Sequence, residues 1–176
     1  LEKNIKITTL FTNGFLINAA LLDEFEARGI RPQIQISFDG IGCHDWLRGI
    51  DGAEKAAIAA FSLCRDRGFQ TSSALCMNRR NADTLAESVR LLASLGCSGL
   101  KINNTNQAGE WLNESGEYLN DDECFQIYMR YIPQFFADGA PISLMLDGMF
   151  AWLKDEGKAF VPYEHNCAED MEAHQL

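Results

Sequence analysis

The residues best suited to chemistry lie in one stretch, Ser37-Phe38-Asp39-Gly40, followed by His44, Asp45 and Arg48. A serine hydroxyl offers one donor and two acceptor sites, which suits a sugar hydroxyl. An arginine can grip a carboxylate through two parallel charge-assisted bonds. Asp-Gly is a turn signal, and a sharp turn here would carry Arg48 back over the strand before it. Asp39, His44 and Asp45 read as residues that shape that loop. A plainer reading stands beside this one: Arg48 on the surface, paired with Asp45 or Asp51, where an ion pair is worth ~0–1 kcal/mol. Asn13, in Thr12-Asn13-Gly14, has the same two readings, as turn chemistry or as part of a ligand-facing rim.

The elements that must position these residues alternate regularly. Strands are expected over Ile5–Phe11, Gln33–Phe38, Phe69–Met77 and Ser98–Asn103, which are rich in β-branched and apolar residues. Helices are expected over Asn18–Gly29, Gly52–Gly68 and Ala82–Gly96, each closed by glycine, the last capped by Asn81 or Asp83. Strand followed by helix, repeated, argues for parallel strands with right-handed crossovers. The polar run Asn103–Asn120, with Trp111, breaks the rhythm, as long functional loops do. A helix follows from Asp121 to Gly139, with Asp121 as cap and a kink at Pro133. Pro141–Leu146 reads as a fifth strand and Met149–Gly157 as a short last helix.

In parallel α/β folds, ligands bind at the carboxyl ends of the strands. Here those ends offer Asn13, Ser37, Asp39, Asn78 and Asn103 with its neighbours, mostly amides and hydroxyls. Such a rim suits a polar ligand with a sugar, an amine and a carboxylate. It holds no Ser-His-Asp arrangement for acyl transfer.

The chain has 176 residues, is 47% hydrophobic and carries a formal charge of −10. That is enough apolar material for a single core. The acidic balance disfavours nucleic acid, whose phosphates need clustered Lys and Arg. No apolar run nears the roughly 20 residues of a membrane span, and no secretory leader pattern is present. The six cysteines, 43, 64, 76, 97, 124 and 167, form no Cys-x-x-Cys pair. They read as free thiols of a cytoplasmic protein.

The order Thr-Asn-Gly, Ser-Phe-Asp-Gly, His-Asp-Trp-Leu-Arg-Gly and a glycine-led helix resembles the radical S-adenosylmethionine (SAM) enzymes with a C-terminal SPASM extension. Anaerobic sulfatase maturases and maturases of ribosomal peptides are of this type. The resemblance runs from Ile5 to Trp111 and more loosely beyond. It implies a partial (β/α)6 barrel over residues 1–157, an α/β fold with mostly parallel strands and outer helices. Residues 158–176 would begin a SPASM-like extension. It implies that Ser37 meets the SAM ribose, that Arg48 meets the SAM carboxylate, and that Asn13 shapes the same rim. Asn103 and Trp111 would face a peptide or protein substrate.

The family's Cys-x-x-x-Cys-x-x-Cys, which holds a [4Fe–4S] cluster, is absent from this sequence. The first strand resembles the family's third, so the chain reads as a fragment, inactive alone and binding neither SAM nor cluster, or else as a degenerate relative that never had the cluster. In the full-length parent, Cys167 would be a first auxiliary-cluster ligand. An incomplete barrel leaves open sheet edges, which implies a dimer through the edge strand at Ile5–Phe11. The alternative is a non-catalytic α/β domain that binds a nucleotide-like ligand or a partner protein.

Overall fold

The computed structural model describes residues 7–106, 112, 116–147 and 149–161. Seven strands form one sheet in chain order: β1 (Thr9–Thr12), β2 (Gln33–Ser37), β3 (Thr71–Met77), β4 (Gly99–Asn104), β5 (Ser143–Leu146), β6 (Phe150–Leu153) and β7 (Lys158–Phe160). The first five run parallel, and β6 and β7 are added antiparallel. The helices are α1 (Ala19–Ala27), α2 (His44–Arg48), α3 (Ala53–Asp66), α4 (Arg79–Ala82), α5 (Leu85–Ser94) and α6 (Asp121–Ala137).

Period-two alternation along the strands sorts the sheet into two unlike faces. Ile34, Ile36, Leu75, Met77, Leu100, Ile102, Leu144 and Leu146 are buried in one cluster with Leu22 of α1, Phe61 of α3, Leu92 of α5 and Phe135 of α6. All the long helices therefore cover one face. Sequential strand order with right-handed crossovers requires this one-sided cover. The opposite face carries Gln35, Ser37, Ser72, Cys76, Lys101 and Asn103, half-buried or exposed. Among the described residues the sheet is open, with β1 and β7 each paired on one side only, so the fold is a mostly parallel α/β sheet. At the β1 edge, Phe11 is 70% exposed.

Three expectations are corrected, one at a strand and two at helix caps. Met149–Gly157 is not a helix but β6 and the turn after it. Phe150 and Trp152 both reach Phe136 of α6, with ring centroids 6.3 and 5.2 Å away, and large aromatics favour a pleated strand. The sheet also continues past residue 157, because Lys158–Phe160 pairs with β6. Neither Asn81 nor Asp83 caps α5. Asn78 caps the short α4 instead, with Asn81 as the third residue of its capping box. The cap of α6 is Asn120, with Glu123 answering it, and not Asp121. The helix continues through Pro133.

Cys43, Cys64, Cys97 and Cys124 are buried free thiols, and Cys76 is half-buried. Burial pushes the Cys97 thiol up to about 12, and those of Cys64 and Cys124 to about 11. A thiol whose pKa is raised by folding favours the fold while it stays protonated. That advantage is lost as pH rises from its ordinary value of 9.0 toward these folded values. Stability to urea should therefore fall between pH 9 and 11, by about 1.4 kcal/mol per pH unit for each fully coupled thiol. Cys97→Ala should flatten that slope. An unchanged slope in the variant would remove Cys97 from the account.

Candidate functional site at the carboxyl end of the second strand

Asp39 lies two residues past the end of β2 and has no solvent exposure. Its carboxylate is met from three directions. The backbone N–H of Cys76, at the end of β3, donates to Oδ1 at 3.0 Å. His44 Nδ1 lies 3.0 Å from Oδ2, and Arg48 Nη2 lies 2.7 Å from the same oxygen. Asn81 Nδ2 donates to the Asp39 carbonyl at 2.9 Å and to the Cys76 carbonyl at 2.8 Å. One residue thus joins β2, β3, α2 and α4.

The local sequence explains why the chain can fold this way. Gly40 sits at φ +100°, and a Cβ there would come within 3.1 Å of Asn81. Only glycine takes that backbone freely and lets α4 approach. The N–H groups of Cys43 and His44 return to the Gly40 carbonyl, and the turn winds into α2. Gly49 then ends α2 in the left-handed conformation. Asp45 points the other way. Its carboxylate accepts from Gly52 N at 2.8 Å and Glu54 N at 2.6 Å, at the start of α3. Those backbone bonds hold its carboxyl below the ordinary carboxylate range.

The structure places the expected residues as follows. Ser37 lies half-buried on the helix-free face, in register with Ala74. Arg48 is about one-third exposed and is paired with the buried Asp39, not with Asp45 or Asp51. Asp39, His44 and Arg48 are brought together as one cluster. Asn13 is exposed at the end of β1, and its side-chain oxygen accepts from Phe15 N at 3.2 Å, a turn bond. Asn103 is at the end of β4, in register with Cys76. Trp111 and Cys167 lie outside the described residues.

Two further rim groups escape a reading of the sequence. Cys76 faces the rim, and its thiol is raised first by burial and then by the Asp39 charge, against the opposing effect of Arg48. Asp147, just after β5, accepts from Asn104 N at 3.1 Å, and Asn104 in turn takes the Tyr128 hydroxyl at 2.6 Å. A signal for Asp147 did exist. The sequence Leu146-Asp147-Gly148 repeats the Asp-Gly ending of β2.

Among the described residues, no three His, Cys, Asp or Glu side chains gather in a way that could hold a metal ion. No described helix is long and apolar enough to cross a membrane.

No family model and no curated protein matches the chain. Solved structures do. Native anSMEcpe with bound AdoMet and Kp18Cys peptide, an anaerobic sulfatase maturase of the SPASM radical SAM type, matches at a TM-score of 0.62 and 16% identity. The match covers 81% of this chain and 41% of that one. Streptococcus suis SuiB matches at a TM-score of 0.56 and 12% identity, over 79% of this chain and 32% of that one. The chain has the fold of these enzymes. It spans less than half the length of either.

The Asp39–Arg48 pair makes a stability prediction. Arg48→Ala leaves a buried carboxylate without its cation. The loss should be about 1–3 kcal/mol, below the full cost of breaking a buried pair because Arg48 is partly solvated. Asp39→Asn combined with Arg48→Ala should restore part of it, since no lone charge then remains. Urea denaturation of the two single variants and the double variant measures the coupling. Strict additivity would show that the pair is not energetically linked.

Proposed function

We propose that this chain is the SAM-binding part of a radical SAM enzyme that modifies a peptide or protein. The observation that carries the reading is the Asp39–His44–Arg48 cluster at the carboxyl end of the parallel strand that ends in Ser37, on a fold shared with an AdoMet- and peptide-bound maturase. In this reading Ser37 serves the ribose, Arg48 the carboxylate, and Asn13 the adjoining rim. Asn103 faces the substrate. The helix-free face of the sheet is the wall of the reaction chamber.

The residues present do not fit a [4Fe–4S] cluster. The sequence lacks the Cys-x-x-x-Cys-x-x-Cys set, and the described cysteines are scattered through the core. No step of the chemistry is assigned to a cluster on these residues, and ligands for one would have to come from outside this chain. What this chain supplies is binding and orientation. Arg48 contributes a fixed positive charge, Ser37 a hydroxyl, and the packed helix layer a rigid base for both.

Calorimetric titration of SAM into the full-length protein tests the reading. Arg48→Ala should weaken binding by about 1.5–3 kcal/mol, the worth of a charged hydrogen bond. Arg48→Lys should recover only part of the loss, because an ammonium lacks the flat fork. His44→Ala should act mainly on stability, since the ring is fully buried. Equal SAM affinity in wild type and Arg48→Ala would remove Arg48 from the site.

A further inference from the structure

From the geometry around Asp39 we infer that Asp39 is a positioning residue for ligand binding: it fixes the Arg48 guanidinium so that the remaining donors face the carboxylate of SAM. The inference rests on the function proposed above.

The Asp39 carboxylate cannot move freely. Its Oδ1 is held by the Cys76 N–H at the end of β3, and its backbone carbonyl is held by Asn81. Its Oδ2 takes Arg48 Nη2 at 2.7 Å. Arg48 Nε is shut off from solvent and has no hydrogen-bond partner among the described residues. A guanidinium has five N–H groups. With Nε–H enclosed, the four that remain are all on the two terminal nitrogens, of which Nη2 is ion-paired with Asp39. The side chain is about one-third exposed, and that exposed part is assigned to those donors. An unanchored arginine would have to freeze several rotors on binding, whereas this one is already set.

Stability alone is a weak reason for the arrangement. A buried ion pair often contributes no more than well-packed apolar residues would. Orientation is what a fixed carboxylate supplies and an apolar residue cannot.

The test compares two ligands in the full-length protein: SAM, and 5′-methylthioadenosine, which shares the nucleoside but lacks the amino-acid carboxylate. Asp39→Asn, nearly isosteric, should weaken SAM roughly tenfold or more and leave methylthioadenosine within about twofold. A merely structural role would weaken both ligands alike, and that result overturns the inference. Asp39→Glu, which keeps the charge but lengthens the arm, should show the same selective loss, and it serves if the asparagine variant does not fold. If neither folds, the Arg48 Nε–H signal of the wild-type protein decides. Slow exchange with solvent is expected, and fast exchange would refute a fixed guanidinium. The outcomes separate the two readings. Wild type that binds no SAM sinks the proposed function. SAM binding lost in Arg48→Ala but intact in both Asp39 variants sinks only the positioning role.

Discussion

A carboxylate with no access to water has to be compensated by its neighbours, and at Asp39 each compensator fixes a different part of the fold. Removing an ion from water costs several kcal/mol even after the protein relaxes. The Cys76 N–H fixes the end of β3, and His44 and Arg48 fix α2. Asn81, bonded to the same residue's carbonyl, fixes α4. Loosening the Cys76 or Arg48 contact raises the cost of the buried charge. The loop after β2 is therefore as constrained as a core element, although its hydrogen bonds belong to side chains.

The central architecture was legible because it rests on periodicity. Ile34, Ile36, Leu75 and Met77 alternate with Gln35, Ser37, Ala74 and Cys76, and that pattern states both strand and face. Glycines at the helix ends marked the boundaries, as Gly29 and Gly68 do at positive φ. The misreading at Met149–Gly157 has a physical cause. A four-residue strand such as Phe150–Leu153 is too short for a period, and its identity comes from pairing with β5 and from packing on Phe136 of α6. Such tertiary contacts are not written locally.

The site was legible in its residue types but not in its connections. Arg48 and Asp39 were both visible as polar residues of one loop. That Arg48 turns inward to Asp39, and not outward to Asp45, depends on Asp45 being taken by the start of α3. The competition between two acceptors for one cation is decided by where α3 begins, and Gly52 at φ +83° sets that point. The cap at Asn78 was missed for a similar reason. Asn81 looked like a cap because it precedes an amphipathic helix, but its amide is needed between β2 and β3.

Asp39 and Asp147 solve the same problem at two places in the sheet. Where parallel strands end, the ladder stops and leaves backbone N–H groups without partners. Asp39 follows β2 and accepts from the Cys76 N–H on β3, while Asp147 follows β5 and accepts from the Asn104 N–H on β4. Each carboxylate extends a strand pair by one bond and places a negative charge at the rim. Their surroundings then differ. Asp39 is sealed beneath Arg48, whereas Asp147 stays half-buried and has no ion pair among the described residues. Among the described residues the rim is therefore electrically asymmetric, with a guanidinium set over its acid at the β2 side and an acid without an ion pair at the β5 side. A ligand with a carboxylate at one end and a cationic centre at the other would be oriented along that axis before any specific contact is made.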